Sequence, residues 1–226
     1  MVFAGIPAEA FDFYDGLVAD NSRIYWGEHK QEYQEFVKEP LTALAAELAP
    51  EFGEAHLYRP YRDLRFGKDK TPYKDHQGMF VESEHGLGWY LQLSGAGVMI
   101  AGGWYMSDPD QLGRFREKIA DDAGPRLRKY LNSLANAGFT VEGERLKTKP
   151  RGYSADDPQI DLLRYKSIYV TRRWEPAAWM DSPQFKERVV SGWRELRPWL
   201  EWQARLVGPG RPPLGSRGGK GRTDTA

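Results

Sequence analysis

Residues 78–103 read GMFVESEHGLGWYLQLSGAGVMIAGG. Apolar side chains alternate with small or polar ones in three short runs, 78–82, 88–93 and 98–103, which predicts three β-strands. Ser94-Gly95-Ala96-Gly97 joins the last two as a hairpin turn, since glycine accepts the backbone angles of a tight reversal. The expected core is therefore an antiparallel sheet. Downstream, 139–141 and 164–170 are expected to add strands.

Helical spacing surrounds these strands. After Pro7, the residues Ala10, Phe11, Tyr14, Leu17 and Val18 fall on one helix face. A second helix runs from His29 through Tyr33, Phe36 and Val37. Pro40 must kink it or start a new one, because its ring removes a backbone donor. Leu41, Leu44, Ala45 and Leu48 carry the stripe on to Pro50. Asp108-Pro109 opens a central helix with Leu112, Phe115, Arg116 and Ile119 on one face. Pro125 opens another, bearing Leu127, Tyr130, Leu131 and Leu134 and stopping at Gly138. Ser182-Pro183 caps a last helix carrying Phe185, Val189, Trp193, Leu196 and Leu200, with a kink expected at Pro198. The class is α+β, an antiparallel sheet flanked by N-terminal, central and C-terminal helices.

The chain has 226 residues, with 32 Lys+Arg against 32 Asp+Glu, so charge-driven partners must be sought in local patches. Eight Trp and twelve Tyr imply a core built largely of rings. No cysteine occurs, which excludes disulfides, thiolate nucleophiles and Cys-bound metal. No apolar run reaches the ~18 residues of a membrane span, so a soluble cytoplasmic protein is expected. Residues 208–226 hold six Gly, three Pro and four Lys/Arg among nineteen. That composition buries too little to order itself, giving one domain over 1–207 and a disordered basic tail.

Residues 58–76, YRPYRDLRFGKDKTPYKDH, interleave Arg59, Arg62, Arg65, Lys68, Lys70 and Lys74 with Asp63, Asp69 and Asp75. Tyr61, Phe66 and Tyr73 anchor the stretch, and Gly67 and Pro72 break it. It fits neither helix nor strand and reads as a shaped basic loop. A second basic loop, residues 147–153, reads KTKPRGY and contains Lys149 and Arg151.

The run RDLRFGKDKTPYK, residues 62–74, resembles the signature of the bacterial and fungal family labelled domain of unknown function 2461. Asp20-Asn21 followed by Trp26 agrees with that family. So do residues 149–153 followed by Pro158 and by DLLRYK at 161–166. The resemblance spans roughly residues 8–203; Gly67 stands where Ser is common, and Arg151 where Lys is usual. No activity attaches to the family, so the resemblance implies the domain's extent and which loops matter, but no substrate.

Arg62, Arg65, Lys68, Lys70 and Lys74, with Lys149 and Arg151, are the candidate ligand-binding residues. Guanidinium offers bidentate recognition and ammonium a mobile point charge, so a phosphate- or carboxylate-bearing ligand is expected in a cleft lined by both basic loops. The alternatives are a nucleic-acid or protein interaction module, and a purely structural loop held by ion pairs. Within the loop, Arg62 and Arg65 are expected to be partly structural, with Lys68, Lys70 and Lys74 serving the ligand. Asp63, Asp69 and His76 are the only candidates there for acid–base chemistry. The four histidines lack metal spacing, and Asp156, Asp157 and Asp161 match no calcium loop, being better placed to cap a helix. Neither a metal nor a cofactor is expected. No dinucleotide, P-loop or nucleophile-elbow motif occurs.

Overall fold

The structure, a computed structural model, describes residues 2–65, 70–84 and 86–210. Its centre is a six-stranded sheet in which every neighbouring pair is antiparallel: β1 (Ala55–Leu57), β2 (His76–Glu84), β3 (Leu87–Ser94), β4 (Gly97–Trp104), β5 (Thr140–Glu142) and β6 (Ile168–Trp174). The order across the sheet is β1-β2-β3-β4-β6-β5. The three central runs form the expected strands, and Ser94 pairs with Gly97 to close the expected hairpin. β6 starts at Ile168 rather than 164, because Ile160–Leu163 forms the short helix α6. β1 has only three residues, too few to show a period in sequence.

The helices pack on one face. They are α1 (Glu9–Ala19), α2 (Arg23–Glu32), α3 (Glu39–Phe52), α4 (Pro109–Lys118), α5 (Gly124–Asn136), α6 and α7 (Gln184–Val207). Strand residues alternate between faces. Met79, Val81, Trp89, Leu91, Leu93, Ile100 and Val170 point into the helical layer and are buried. On that face Trp89 Nε1 donates to the Trp193 carbonyl and Trp199 Nε1 to that of Gly102, each at 3.3 Å. Phe52 packs edge-on against Trp89 and Trp193, tying α3 to α7 over the sheet. Phe115 of α4 meets Trp104, and Tyr130 of α5 meets Trp199 and Trp202. The core is ring-rich, as the composition implies. Val18, placed by spacing on the inner stripe of α1, is 65% exposed, while Phe13 is buried.

Pro40 is the second residue of α3, and no non-helical residue separates α2 from α3. Residues Tyr33–Lys38 form a π-turn segment, and Glu39 N–H reaches back five residues to Gln34 O. The wider turn absorbs the donor that proline lacks, so α2 runs continuously into α3. The same device, Ile119–Ala123, precedes Pro125 between α4 and α5. α7 continues through Pro198, whose exposed position leaves the orphaned carbonyl of Arg194 open to water. Asp108 caps α4 with a full capping box to Gln111. Among the described residues no helix is long and apolar enough to cross a membrane. The expected tail begins at 208, and its residues 211–226 lie outside the described residues.

Candidate functional site

The two arms of the 58–76 loop pair with each other. Tyr61 bridges Tyr73, Arg62 N–H donates to Pro72 O at 2.9 Å, and Lys74 N–H to Pro60 O at 2.8 Å. Tyr73 is buried and stacks on Trp26 with ring centroids 4.3 Å apart and planes 8° from parallel. Asn21 grips the same residue twice: its Nδ2 donates to Tyr73 O, and its Oδ1 accepts from Tyr73 N–H. Arg62 Nη2 adds a third bond, to Tyr73 O at 3.3 Å. The 21–26 stretch and the two arms of the loop thus meet in one clamp that holds the loop against the N-terminal helices. Arg62 thus helps to hold the two arms of the loop together.

Arg65 pairs with Asp63 two residues away at 2.7 Å, with 76% and 39% of the two side chains exposed. The guanidinium holds the Asp63 carboxyl below its ordinary range and keeps it ionised. Lys70 Nζ donates to Leu64 O at 2.7 Å. Lys68 and Asp69 lie outside the described residues. Lys74 Nζ sits 5.3 Å from the centre of the Tyr58 ring. Burial pushes the Lys74 ammonium below its ordinary pKa, and the charges of Arg59 and Arg62 push the same way. Asp75 Oδ1 holds His76 Nδ1 at 2.8 Å.

The second basic loop lies elsewhere. It connects β5 to β6 at one edge of the sheet, whereas the first hangs from β1 and β2 at the other. The register also puts them at opposite ends: β2 begins beside Ser94, and β6 begins beside Trp104. Lys149 Nζ is turned onto Tyr153 O at 2.7 Å, and Arg151 is exposed. The single cleft expected between the loops is corrected by this diagonal placement. Asp157 Oδ1 accepts from Gln159 N–H just ahead of α6, while Asp161 pairs with Arg128. No described group of carboxylates and histidines is arranged to hold a metal.

A concavity lies on the sheet face that carries no described helix. Its volume is about 330 Å³, within the range of small-molecule sites. The antiparallel register explains its shape. One row runs Gly78, Gln92, Met99, Arg173; the next runs Phe80, Tyr90, Ala101, Thr171; the third runs Gly88, Gly103, Tyr169, Glu142. A Cβ at Gly78 would lie 2.6 Å from the Tyr90 hydroxyl, and one at Gly88 would lie 2.7 Å from the Phe80 ring. Glycine at these positions lets both rings lie down against the strands. Tyr105 packs beside Tyr169 with ring centroids 5.2 Å apart. Burial pushes the phenol of Tyr90 well above its ordinary pKa, with Tyr105 and Tyr58 adding to the effect, so it remains a neutral hydroxyl and donates to Gln92 Oε1.

At the β5–β6 side the hollow ends in a closed polar triad. Arg173 Nη1 lies 2.8 Å from Glu142 Oε1 and donates to Thr171 Oγ1, which in turn donates to the same carboxylate oxygen. At the β1–β2 side His76 lines the hollow, and the Tyr58 ring stands 6.5 Å from Tyr90 and carries Lys74. Of the expected site residues, His76 is thus in the lining and Lys74 is one ring removed. Tyr90, Gln92, Tyr105, Glu142, Tyr169 and Arg173 were missed. The signal was there for the strands: within 78–103 the positions opposite the buried apolar ones are mostly small, aromatic or amide, with Glu82 the charge among them.

A family model described as "Conserved hypothetical protein (DUF2461)" matches residues 9–202. No curated protein and no solved structure matches the chain.

Proposed function

The chain belongs to the DUF2461 family, whose description assigns no activity, and from that premise we propose that it binds a small ring-bearing acid in the hollow of the sheet. The acid group lies beside Lys74, where that side chain meets the Tyr58 ring, and the ring lies on the Tyr90 and Phe80 side. One observation carries the reading: Lys74 Nζ stands against the Tyr58 ring, which in turn meets Tyr90 in the wall of an aromatic hollow. A partly buried ammonium in such a place is stabilised by an anion that meets it. The anionic ligand of the sequence reading is kept, with its place moved from between the basic loops to this position. Arg65, Lys149 and Arg151 take no part.

Thermal melting against a panel of aromatic carboxylates and phosphates tests this. A ligand at about a hundred times its Kd adds ~2.7 kcal/mol of stability, a shift of several degrees for a domain of this size. Lys74→Met is expected to melt no lower than the parent, because it removes a crowded charge, and to lose the ligand-induced shift. A panel in which no ring-bearing acid moves the melt overturns the reading.

A further inference from the structure

We infer that the hollow is a catalytic site that moves a proton at the carbon beside a ketone, with His76 as the base, Tyr90 as the donor to the ketone oxygen and an aryl 2-oxo acid as the substrate. The acid and the ring of that substrate rest on the site proposed above; the proton transfer rests on the lining itself.

β2 pairs with β3 without interruption from His76 to Glu82, so His76, Gly78 and Phe80 share the open face at steps of about 7 Å. His76 lines the hollow, and its Nδ1 lies 2.8 Å from Asp75 Oδ1. A carboxylate at that nitrogen keeps the proton on Nδ1 and leaves the lone pair on Nε2. The ring is thereby set up as a base. Glu142 also lines the hollow, but its Oε1 is already engaged by Arg173 and Thr171.

The opposing group comes from β3. The Tyr90 hydroxyl lies over Gly78, 2.6 Å from where a Cβ would stand, one same-face position along from His76. It stays protonated and so acts as a donor. Its bond to Gln92 Oε1, at 3.2 Å, is long for two oxygens, and a carbonyl oxygen entering the hollow competes for it. The Tyr58 ring comes within 3.1 Å of the same Cβ position. The floor at Gly78 therefore adjoins both the Tyr58 ring, where Lys74 receives the acid, and Phe80, on whose side the ligand's ring lies. An aryl 2-oxo acid carries its ketone and methylene between acid and ring, which brings them over this floor beside the imidazole and the phenol.

The described lining holds no serine, threonine, cysteine or lysine, the common side chains for covalent attack on a carbonyl. It does hold a base and an oxygen-directed donor, which together serve enolisation. In that step the methylene C–H bond breaks and its proton goes to His76 Nε2. The electron pair forms the carbon–carbon double bond, and the carbonyl pair moves onto oxygen, where the Tyr90 hydroxyl donates to it. Return of the proton from the imidazolium to that oxygen gives the enol, and return to carbon restores the ketone. Nothing is oxidised or reduced.

Proton NMR of phenylpyruvate in deuterated buffer, with and without the full chain, tests the inference. The methylene signal is expected to disappear about tenfold or more faster with the protein. His76→Gln should return exchange to the buffer rate while phenylpyruvate still raises the melting temperature, and imidazole added to His76→Gly should restore part of the rate. If His76→Gln does not melt cooperatively, His76→Asn takes its place. Tyr90→Phe keeps the ring and should lower kcat about tenfold or more with KM little changed. Asp75 is a positioning residue, and Asp75→Asn should likewise lower kcat at the same KM. Exchange at the parent rate in His76→Gln overturns the base, and in Tyr90→Phe the donor. Phenylpyruvate that binds but exchanges no faster than in buffer overturns the catalysis and leaves the ring-bearing acid standing. Hydrolysis of phenyl acetate that is lost in His76→Gln, without any exchange, overturns proton transfer at carbon in favour of attack by water. No binding by any ring-bearing acid overturns both readings.

Discussion

Asn21 and Arg65 show how little a residue's charge says about its part in stability. Asn21 is neutral and bonds both backbone groups of a buried tyrosine. Arg65 is charged, sits in the densest basic run, and meets an exposed partner two residues away. Removing the Asn21 side chain strands a donor and an acceptor in a partly buried clamp, so Asn21→Ala is expected to cost about 1–3 kcal/mol in denaturant unfolding. Arg65→Met, in contrast, should leave the melting temperature within about a degree of the parent, as exposed local pairs are worth little. This reverses the expectation from sequence that Arg65 is partly structural. An Asn21→Ala variant as stable as the parent, with Arg65→Met unfolding readily, would show the clamp to be misread.

α7 is held by a close approach to β4 and by a strip of ion pairs to α3. Gly192 permits α7 to lie against β4: a Cβ there would come within 2.2 Å of Ile100 Cδ1. Alanine at this position asks only the tip of a flexible side chain to move. Gly192→Leu must displace the helix, and about 1–3 kcal/mol of destabilisation by overpacking is expected in chemical denaturation. Glu47 pairs with Lys186, and Glu51 with Arg194 and Arg197. Hydrogen bonds from Lys186 and Phe3 N–H hold the Glu47 carboxyl below its ordinary pKa, and those from Arg194 chiefly do so for Glu51. A folded-state pKa below the unfolded value of about 4.3 means that the unfolded chain binds the proton first. The contribution is therefore complete above that value and is lost as pH falls through the lower, folded one. Melting followed from pH 6 to pH 3 should fall more steeply for the parent than for Glu51→Gln. Parallel curves would remove these pairs from the account of acid stability.

Among the described residues, one sheet face is covered by the helical layer and the other is left hollow. Filling the hollow tests whether it is needed for the fold: Ala101→Leu should unfold cooperatively near the parent temperature while abolishing every ligand-induced shift. Retained binding would place the ligand elsewhere. Much of this architecture is written in local patterns. Period-two runs at 78–103, glycines in the 94–97 turn, and the Asp108-Pro109 start gave strands, hairpin and helix where the backbone forms them, because hydrophobic periodicity and turn chemistry act between near neighbours. The class, the ring-rich core and the weight of the basic loop followed from residues alone. What the loop is for did not. Asn21, Trp26, Arg62 and Tyr73 become a clamp only when segments up to 52 residues apart are brought into contact, and the separation of the two basic loops depends on a strand order in which β6 inserts beside β4, leaving β5 at the edge. The hollow is a property of register: Gly78, Tyr90, Ala101 and Tyr169 share a face because antiparallel pairing fixes which strand positions lie side by side. Sequence determined the elements and their buried sides, since each is settled by its own periodicity; only the tertiary structure decided which exposed sides meet, since that is set by pairings between residues that no local pattern connects.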